Sequence, residues 1–373
     1  MPQNAPDHAD TSSLRQLFAG LAAGDSLGST SEFVPQREVP VLYEKVKARG
    51  WPFRQVGRDA ISLPAGSPTD DTEMALCMVR SYFEQGGFNA QNVAEKFVSW
   101  MRSGPSDIGR TTQRTLQICQ KSRRFWEGGL AFWKQVPGFA ANGSLMRNGI
   151  VAGMAGSRCE AFACTLKHGM ITHYAPLPQI CCLAQTHLIW DLLQGEESQD
   201  GWIEPFASAA QDYLAGPDDP EIEMWLQSVG EQGDWQRSMD LFCREDWDMQ
   251  NFDPFKHDYT RGSGYCLLTL KIGLWALYWS LRDEAYPAPP GFPEEVFQAR
   301  GPARLAWVAM CGHDADTYAA VAGPLIAATG MKLPCGFTEE LKALAEFDRM
   351  ASLTREISRN RHDLKSPKSI KTN

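Results

Sequence analysis

The sequence has no long apolar run and no excess of basic residues, and each absence excludes a class of protein. Its longest strongly apolar stretch, 272–281, has about half the length that a helix needs to cross a bilayer. The formal net charge of −9 argues against general binding to the nucleic-acid backbone. Residues 1–13 contain no basic segment followed by an apolar one, so they do not resemble a signal peptide. We therefore expect a cytoplasmic protein without membrane or nucleic-acid partners.

The sequence also lacks C-x-x-C pairs and the alternating pattern of β-strands. Its ten cysteines are scattered, most of them within apolar runs, which is typical of buried thiols in a reducing compartment. Apolar residues recur instead at helical spacing along most of the chain. The pattern predicts an all-α protein with helices over 71–85, 93–101, 111–122, 159–168, 177–193, 264–281, 316–329 and 338–357.

Composition predicts how the chain is organised around these helices. We expect a flexible N-terminal arm over 1–13 and a single helical domain over 14–357. Within that domain the proline-rich segment 29–68 reads as long loops, and 195–262 as an irregular, insertion-like region of short helices and surface loop. The end of the chain, 358–373, is basic and polar, and such composition favours disorder.

Two short acidic clusters, about 240 residues apart, share one arrangement. Thr69-Asp70-Asp71-Thr72 and Asp314-Ala315-Asp316-Thr317 each set two carboxylates beside a hydroxyl, before a helical pattern. An aspartate at a helix start is commonly a cap or a partner of the helix dipole. Oxygen donors without thiolates also suit a hard divalent cation such as Mg²⁺ or Mn²⁺. The repetition favours one shared metal site.

Several further blocks occur with these clusters in a fixed order, and together they resemble the ADP-ribosylglycohydrolase family over about 14–329. The blocks are GLAAGDSLG (20–28) with Glu32-Phe33, TDDTEMAL (69–76), GPSDIGRTT (104–112), NGSLMR (142–147), Thr172-His173, GSGY (262–265) and GHDADT (312–317). The resemblance implies a single-domain orthogonal helical bundle with a dinuclear Mg²⁺ or Mn²⁺ site in a central cleft.

The resemblance also assigns roles to individual residues. Glu32 becomes a metal-linked or general-base carboxylate, Asp71 a second candidate base, and Asp107 the acid that faces a substrate guanidinium. By themselves, an exposed Glu32 would be solvated and Asp107 a turn former. The implied metal ligands are Thr69, Asp70, Asp71, Asp314, Asp316 and Thr317.

The substrate side of the site is predicted from a turn, a loop and an aromatic residue. The turn 142–144 offers amide and hydroxyl groups that suit a pyrophosphate, although an Asn-Gly turn also occurs without a ligand. His173 precedes a proline-containing loop and is equally compatible with a structural role. The substrate-binding candidates are Asn142, Gly143, Ser144, His173 and Tyr265, the last stacking on adenine. His313 departs from the small residue common in the family and is not counted as a ligand.

Three functions remain open from the sequence. The first is a metal-dependent hydrolase that removes ADP-ribose from ADP-ribosylated protein, with arginine as the modified residue because of Asp107. The second is a hydrolase of another ADP-ribosyl linkage, to serine, a small metabolite or a base. The third is a binding protein, such as an immunity protein that blocks an ADP-ribosyltransferase toxin. Alanine at Asp70 and Asp71 separates them, because binding survives that change and hydrolysis does not.

Overall fold

The computed structural model describes residues 11–196, 201–230, 233–257, 259 and 262–365, and these ranges are all-α. Within them β pairing is limited to two isolated bridges, Arg58–Leu63 and Ala141–Tyr265. The α-helices are α1 (Ser12–Gly28), α2 (Val39–Val46), α3 (Asp70–Gln85), α4 (Ala90–Arg102), α5 (Arg110–Cys119), α6 (Glu127–Gln135), α7 (Arg158–Met170), α8 (Pro176–Leu193), α9 (Ile203–Leu214), α10 (Pro220–Gly230), α11 (Asp234–Arg244), α12 (Cys266–Ser280), α13 (Glu294–Phe297), α14 (Leu305–Ala309), α15 (Ala315–Ala328), α16 (Cys335–Thr338) and α17 (Lys342–Lys365).

Helices α1 and α15 pack side by side more closely than ordinary side chains allow. Gly20, Gly24 and Gly28 recur every fourth residue and therefore lie on one face of α1. A Cβ atom at Gly24 would lie 1.9 Å from the Ala319 carbonyl oxygen, and one at Gly20 would lie 2.5 Å from that of Gly323. Only glycine permits this approach, which brings the end of α1 against the start of α15.

Two further helices, α8 and α12, are buried on nearly every side. Neither shows a polar face, as is typical of helices inside a core, and α12 corresponds to the apolar run 272–281. The buried apolar residues of the chain form one contiguous cluster. None of the described helices is long and apolar enough to cross a membrane.

The prediction of long loops over 29–68, which was based on the prolines of this segment, is wrong in part. The structure places α2 in this segment, with Pro40 at the second position of the helix, where its missing N–H is not needed. In the described part of region 195–262 the chain forms α9 to α11, helices of 11 or 12 residues, each anchored by a buried aromatic residue such as Phe206 or Trp225.

The two ends of the helical region also differ from the prediction. Helix α1 begins at Ser12, so the last two residues of the predicted arm are helical. Helix α17 spans Lys342–Lys365 instead of 338–357, and the described part of the predicted tail, 358–365, continues that helix. Residues 1–10 and 366–373 lie outside the described residues.

Candidate active site

The two acidic clusters lie side by side, although about 240 residues separate them. Asp70 and Asp71 open α3, and Asp316 and Thr317 lie in the first turn of α15. The Thr317 hydroxyl oxygen is 3.5 Å from Asp71 Oδ2, a direct contact between the clusters. The N-cap position of α15 is held by Asp314, so Thr317 is not its capping residue.

Glu32 joins the second cluster through a short backbone pairing. The Phe33 N–H donates to the His313 carbonyl at 2.6 Å, and the His313 N–H donates to the Val34 carbonyl at 2.8 Å. Phe33 and His313 both take positive φ angles of about 60°, which non-glycine residues seldom adopt. The pairing places carboxylate oxygens of Glu32, Asp314 and Asp316 within 4.8 Å of one another.

Asp25, in the GLAAGDSLG block, holds the first acidic cluster in place through hydrogen bonds. This role was not predicted from the sequence. Its buried carboxylate accepts hydrogen bonds from the Thr69 hydroxyl at 2.6 Å and from the N–H groups of Thr69 and Thr72 at 3.0 and 3.1 Å. Asp25 thereby caps α3 from another helix, and the Thr69 side chain makes no capping bond of its own. The only sequence signal was an aspartate inside an otherwise small and apolar helix.

The site concentrates buried acids, which shifts their pKa values upward. Burial, then the Asp107 charge, raises the pKa of Glu32 to about 8 and that of Asp70 to about 7. Burial also raises the pKa of Asp25 and of Asp314 to about 6. The remaining two, Asp71 and Asp316, have pKa values raised well above 3.8 by burial and by neighbouring carboxylates.

Four of these acids, Glu32, Asp70, Asp314 and Asp316, form the floor of a cleft of about 890 Å³, within the range of small-molecule and cofactor sites. Asp71 lies just beneath the floor and is buried. Among the residues that the sequence analysis proposed, those lining the cleft are Glu32, Asp70, Asp107, Asn142, Gly143, His173, Tyr265, Asp314, Asp316 and Thr317.

Asp107 stands on one wall, next to an arginine that the sequence analysis did not single out. Arg58 is nearly buried; it pairs with Glu32 and lies 3.9 Å from Asp107 Oδ2. Its guanidinium also lies 4.9 Å from the centre of the exposed Phe33 ring. Asp107 is partly exposed to the cleft, and burial raises its pKa while Arg58 lowers it. A guanidinium thus already lies beside Glu32 and Asp107.

The turn that begins at Asn142 supports the acidic floor. The Asn142 amide donates to Asp314 Oδ2 at 2.7 Å and to the Thr269 hydroxyl at 2.9 Å, so it orients a carboxylate. Ser144 is fully buried beneath the turn, where the Cys182 thiol contacts its hydroxyl at 3.5 Å, and it is absent from the described lining of the cleft. Of the turn's side chains, only that of Asn142 reaches the cleft.

Burial and a nearby arginine keep His173 neutral. Arg147 donates to the Thr172 hydroxyl at 2.7 Å, and that hydroxyl lies 2.8 Å from His173 Nδ1. The hydroxyl holds the ring in place through Nδ1, whichever of the two atoms donates. Burial, then Arg147, lowers the pKa of His173 to about 3. His173 is therefore a neutral ring on the cleft wall, held against Gly143, where a Cβ would lie 2.7 Å from the ring.

The aromatic candidate Tyr265 and the excluded His313 differ in position. Tyr265 is half-buried on the cleft wall, beside the bridge to Ala141. The His313 ring packs against Tyr259 with ring centres 4.2 Å apart and does not belong to the described cleft lining. His313 thus serves the backbone pairing to Phe33.

The donor set fits a hard cation. All the clustered groups are oxygens, and Asp71 Oδ1 is buried without a hydrogen-bond partner among the described residues. A buried acceptor without a donor is costly, and several close carboxylates repel one another. Bound divalent cations would give the Asp71 oxygen a partner and would also offset the repulsion between the carboxylates.

Comparison with known protein families identifies the family of this chain. The profile of the family described as ADP-ribosylglycohydrolase matches residues 6–365, and the chain therefore belongs to the ADP-ribosylglycohydrolase family.

Two relatives illustrate the likeness in sequence. The chain is 32% identical over 183 residues to the ADP-ribosyl-[dinitrogen reductase] glycohydrolase of Rhodospirillum rubrum, a match that covers 48% of this chain and 57% of that protein. It is 29% identical over 341 residues to the ADP-ribosylarginine hydrolase Tri1 of Pseudomonas putida (strain GB-1), covering 88% and 71% of the two chains.

A solved structure described as an ADP-ribosylglycohydrolase-related protein complex matches with a TM-score of 0.59. The match covers 93% of this chain and 98% of the other at 22% identity. At that identity the likeness supports the fold alone, and the fold is the all-α arrangement expected from the sequence.

Proposed function

We propose that this protein hydrolyses the bond between ADP-ribose and arginine in ADP-ribosylated proteins, with two divalent cations bound at the cleft floor. The observation that carries the proposal is that the two acidic clusters contact each other in a buried position, next to Asp71 Oδ1, which has no hydrogen-bond partner among the described residues. The family profile and the names of the relatives support the same reaction class. The proposed ligands are Thr69, Asp70, Asp71, Asp314, Asp316 and Thr317.

Bound cations of this kind polarise and orient a sugar's oxygens and lower the pKa of a nearby water. The protein's residues hold and aim that chemistry. Asn142 fixes Asp314 and Asp25 fixes the start of α3, so the ligands are oriented before a cation binds, as second-layer contacts commonly do. Without cations the floor offers an anionic pyrophosphate only acidic side chains, whereas bound cations would attract it.

Glu32 is the proposed proton acceptor for the attacking water. It lines the cleft, whereas Asp71 lies beneath the floor and cannot reach a water in the cleft directly. Arg58 pairs with Glu32 and favours its ionised form. The rings of His173 and Tyr265 line the same cleft, where an imidazole N–H suits a phosphate oxygen and the Tyr265 ring suits an aromatic base.

Asp107 carries the choice of arginine. A carboxylate makes strong, fork-shaped hydrogen bonds to a guanidinium, and Arg58 beside Glu32 and Asp107 shows that a guanidinium fits next to these acids. The edge of Asp107 that faces the cleft is available for the guanidinium of the modified arginine. A serine linkage offers no such donors, so Asp107 matters for one linkage and little for the other.

The first experiment measures ADP-ribose release from arginine-, serine- and cysteine-linked substrates, with EDTA and after Mg²⁺ or Mn²⁺ is restored. We expect release from arginine only, lost in EDTA and recovered with metal. Asp71→Ala should lower the rate at least about 10²-fold, because positioning and charge stabilisation by the metal site are removed. Full activity in EDTA, or in Asp71→Ala at saturating metal, contradicts the metal site.

A matched control is Asp191→Asn, since Asp191 is also a buried acid but pairs with Arg158 outside the cleft. This variant should keep the wild-type rate at a temperature where it is folded.

The second experiment compares Asp107→Asn with wild type on arginine- and serine-linked substrates. Asparagine keeps the shape of the side chain but removes the charge. We expect kcat/KM on the arginine linkage to fall by roughly 1.5–3 kcal/mol, or about 10- to 150-fold, which is the usual worth of a hydrogen bond to a charged group. Mn²⁺ affinity should be unchanged. A silent Asp107→Asn, or faster cleavage of serine-linked ADP-ribose by wild type, rules out the arginine preference.

A further inference from the structure

One basic segment of this acidic protein lies next to the cleft. Residues 102–135 contain seven Lys or Arg residues and two acidic residues, a net of +5, in a chain whose net charge is −9. One of the two acids, Asp107, belongs to the cleft. The segment comprises the end of α4, the whole of α5 and α6, and the loops between them.

The exposed cations of this segment lead away from the mouth of the cleft. Arg110, at the start of α5, lines the cleft itself. Arg114 follows one helical turn later on the same face. Arg114 and Lys121 together line a shallow groove between α5 and α6. The strip therefore extends along the whole of α5, which at 1.5 Å per residue is about 15 Å long.

Beyond α5 the strip ends at a second depression. Arg123 and Arg124 line a recess of about 500 Å³ together with Trp126, Lys167 and Glu221. Lys167 pairs with both Asp219 and Glu221, whereas Arg123 and Arg124 form no ion pair with any described residue. We call Arg110, Arg114, Lys121, Arg123 and Arg124 the basic strip.

None of the five cations of the basic strip forms an ion pair within the described ranges. Ion pairs are frequent elsewhere, for example Arg15 with Asp348 and Arg80 with Glu346. Five exposed cations without counter-charges repel one another and raise the local potential. Such an arrangement favours a ligand that brings negative charge.

We propose that the basic strip binds an acidic face of the ADP-ribosylated protein and holds it while the modified side chain enters the cleft. The inference rests on the proposed function, since it places the protein part of the substrate next to the cleft. The positive charge of the strip favours a partner with an acidic face. The strip also begins at the cleft mouth, where the polypeptide of the ADP-ribosylated protein must lie when its modified side chain enters the cleft. Charge complementarity of this kind chiefly speeds association and sets specificity.

The test uses two synthetic peptides that each carry one ADP-ribosylated arginine, flanked by glutamates in one and by lysines in the other. At about 50 mM salt we expect kcat/KM to favour the acidic peptide about tenfold, because surface charges steer encounter at low ionic strength. The preference should shrink to less than about threefold at 0.5 M salt, where the screening length falls to a few ångströms. Binding of the same peptides without ADP-ribose is followed by fluorescence anisotropy.

The variant Arg114→Glu/Lys121→Glu reverses two charges of the strip that do not line the cleft. It should lose the preference for the acidic peptide and keep the wild-type kcat/KM on free ADP-ribosylarginine. The matched control Lys45→Glu/Lys332→Glu makes the same change in net charge at exposed residues on α2 and after α15, and it should keep the preference.

The outcomes separate the two proposals. If free ADP-ribosylarginine is not hydrolysed, the proposed function is wrong, and peptide binding still decides on the strip. Equal use and equal binding of both peptides would overturn the basic strip as a docking surface. A loss of preference in the control variant as well would assign the effect to net charge instead. Tighter, strip-dependent binding of a single-stranded RNA oligonucleotide than of the acidic peptide would reject the protein partner.

Discussion

Replacing Asp25 by asparagine tests whether the acidic floor depends on a residue that contacts no substrate. Oδ2 of Asp25 accepts the N–H groups of Thr69 and Thr72, and Oδ1 accepts the Thr69 hydroxyl. Asparagine retains one oxygen, which best stays on the two N–H groups because no other acceptor is available to them. Its NH₂ group then faces the Thr69 hydroxyl oxygen and competes with a cation for it.

The expected effect is on metal binding more than on folding. Contacts that orient metal ligands are typically worth 10- to 100-fold in metal affinity or activity, or about 1.4–2.8 kcal/mol. Removing the buried charge, whose pKa is raised to about 6 by burial, offsets the weaker hydrogen bonds of the amide. We therefore expect Asp25→Asn to keep a near-native Tm in EDTA but to bind Mn²⁺ about 10- to 100-fold more weakly in calorimetric titration.

A matched control exists on another helix. Asp219 accepts the N–H groups of Glu221 and Ile222 at the start of α10, outside the cleft. Asp219→Asn keeps an oxygen that can cap α10 but loses the charge that pairs with Lys167, so it should lower stability by at most about 1 kcal/mol and leave Mn²⁺ affinity and turnover unchanged. Unaltered Mn²⁺ affinity and turnover in Asp25→Asn would refute the reasoning.

Two further predictions concern packing and pH. Gly24→Ala puts a Cβ atom 1.9 Å from the Ala319 carbonyl oxygen, so it should lower stability by at least about 3 kcal/mol, the upper end of overpacking, and weaken Mn²⁺ binding. In the control Gly230→Ala the new Cβ meets nothing within 4 Å, so stability and Mn²⁺ affinity should not change. Thermal unfolding and Mn²⁺ titration measure the two effects. In EDTA the free energy of unfolding should fall from pH 5 to pH 8. The reason is that Glu32 and Asp70 have folded pKa values of about 8 and about 7, above their ordinary ones. Their protonated forms therefore stabilise the folded state fully at low pH, and this stabilisation is lost as pH rises through the folded pKa values. Urea unfolding at each pH measures this, excess Mn²⁺ should flatten the slope, and stability that rises with pH in EDTA would contradict it.

The sequence alone determined the helical class and the chemistry of the floor. Apolar spacing is a local property, so most long helices, such as α3 and α8, were predicted to within a few residues at each end. The carboxylate and hydroxyl groups of the two acidic clusters are also adjacent in sequence, and their chemistry can be judged without a fold. Segments broken by proline, such as 29–68, were predicted least well, because a proline in the first turn of a helix resembles a proline in a loop.

The tertiary structure decided which groups face one another. Nothing near Asp25 in the sequence indicates that it holds the start of α3, and nothing near Arg58 indicates that it lies beside Glu32 and Asp107. Such contacts arise from the close packing of α1 against α15 and from the backbone pairing of Phe33, and both join segments about 280 residues or more apart. The free energy of those contacts comes from surfaces that become complementary only after the chain has folded, so local patterns carry the ingredients of the site while long-range packing sets its geometry.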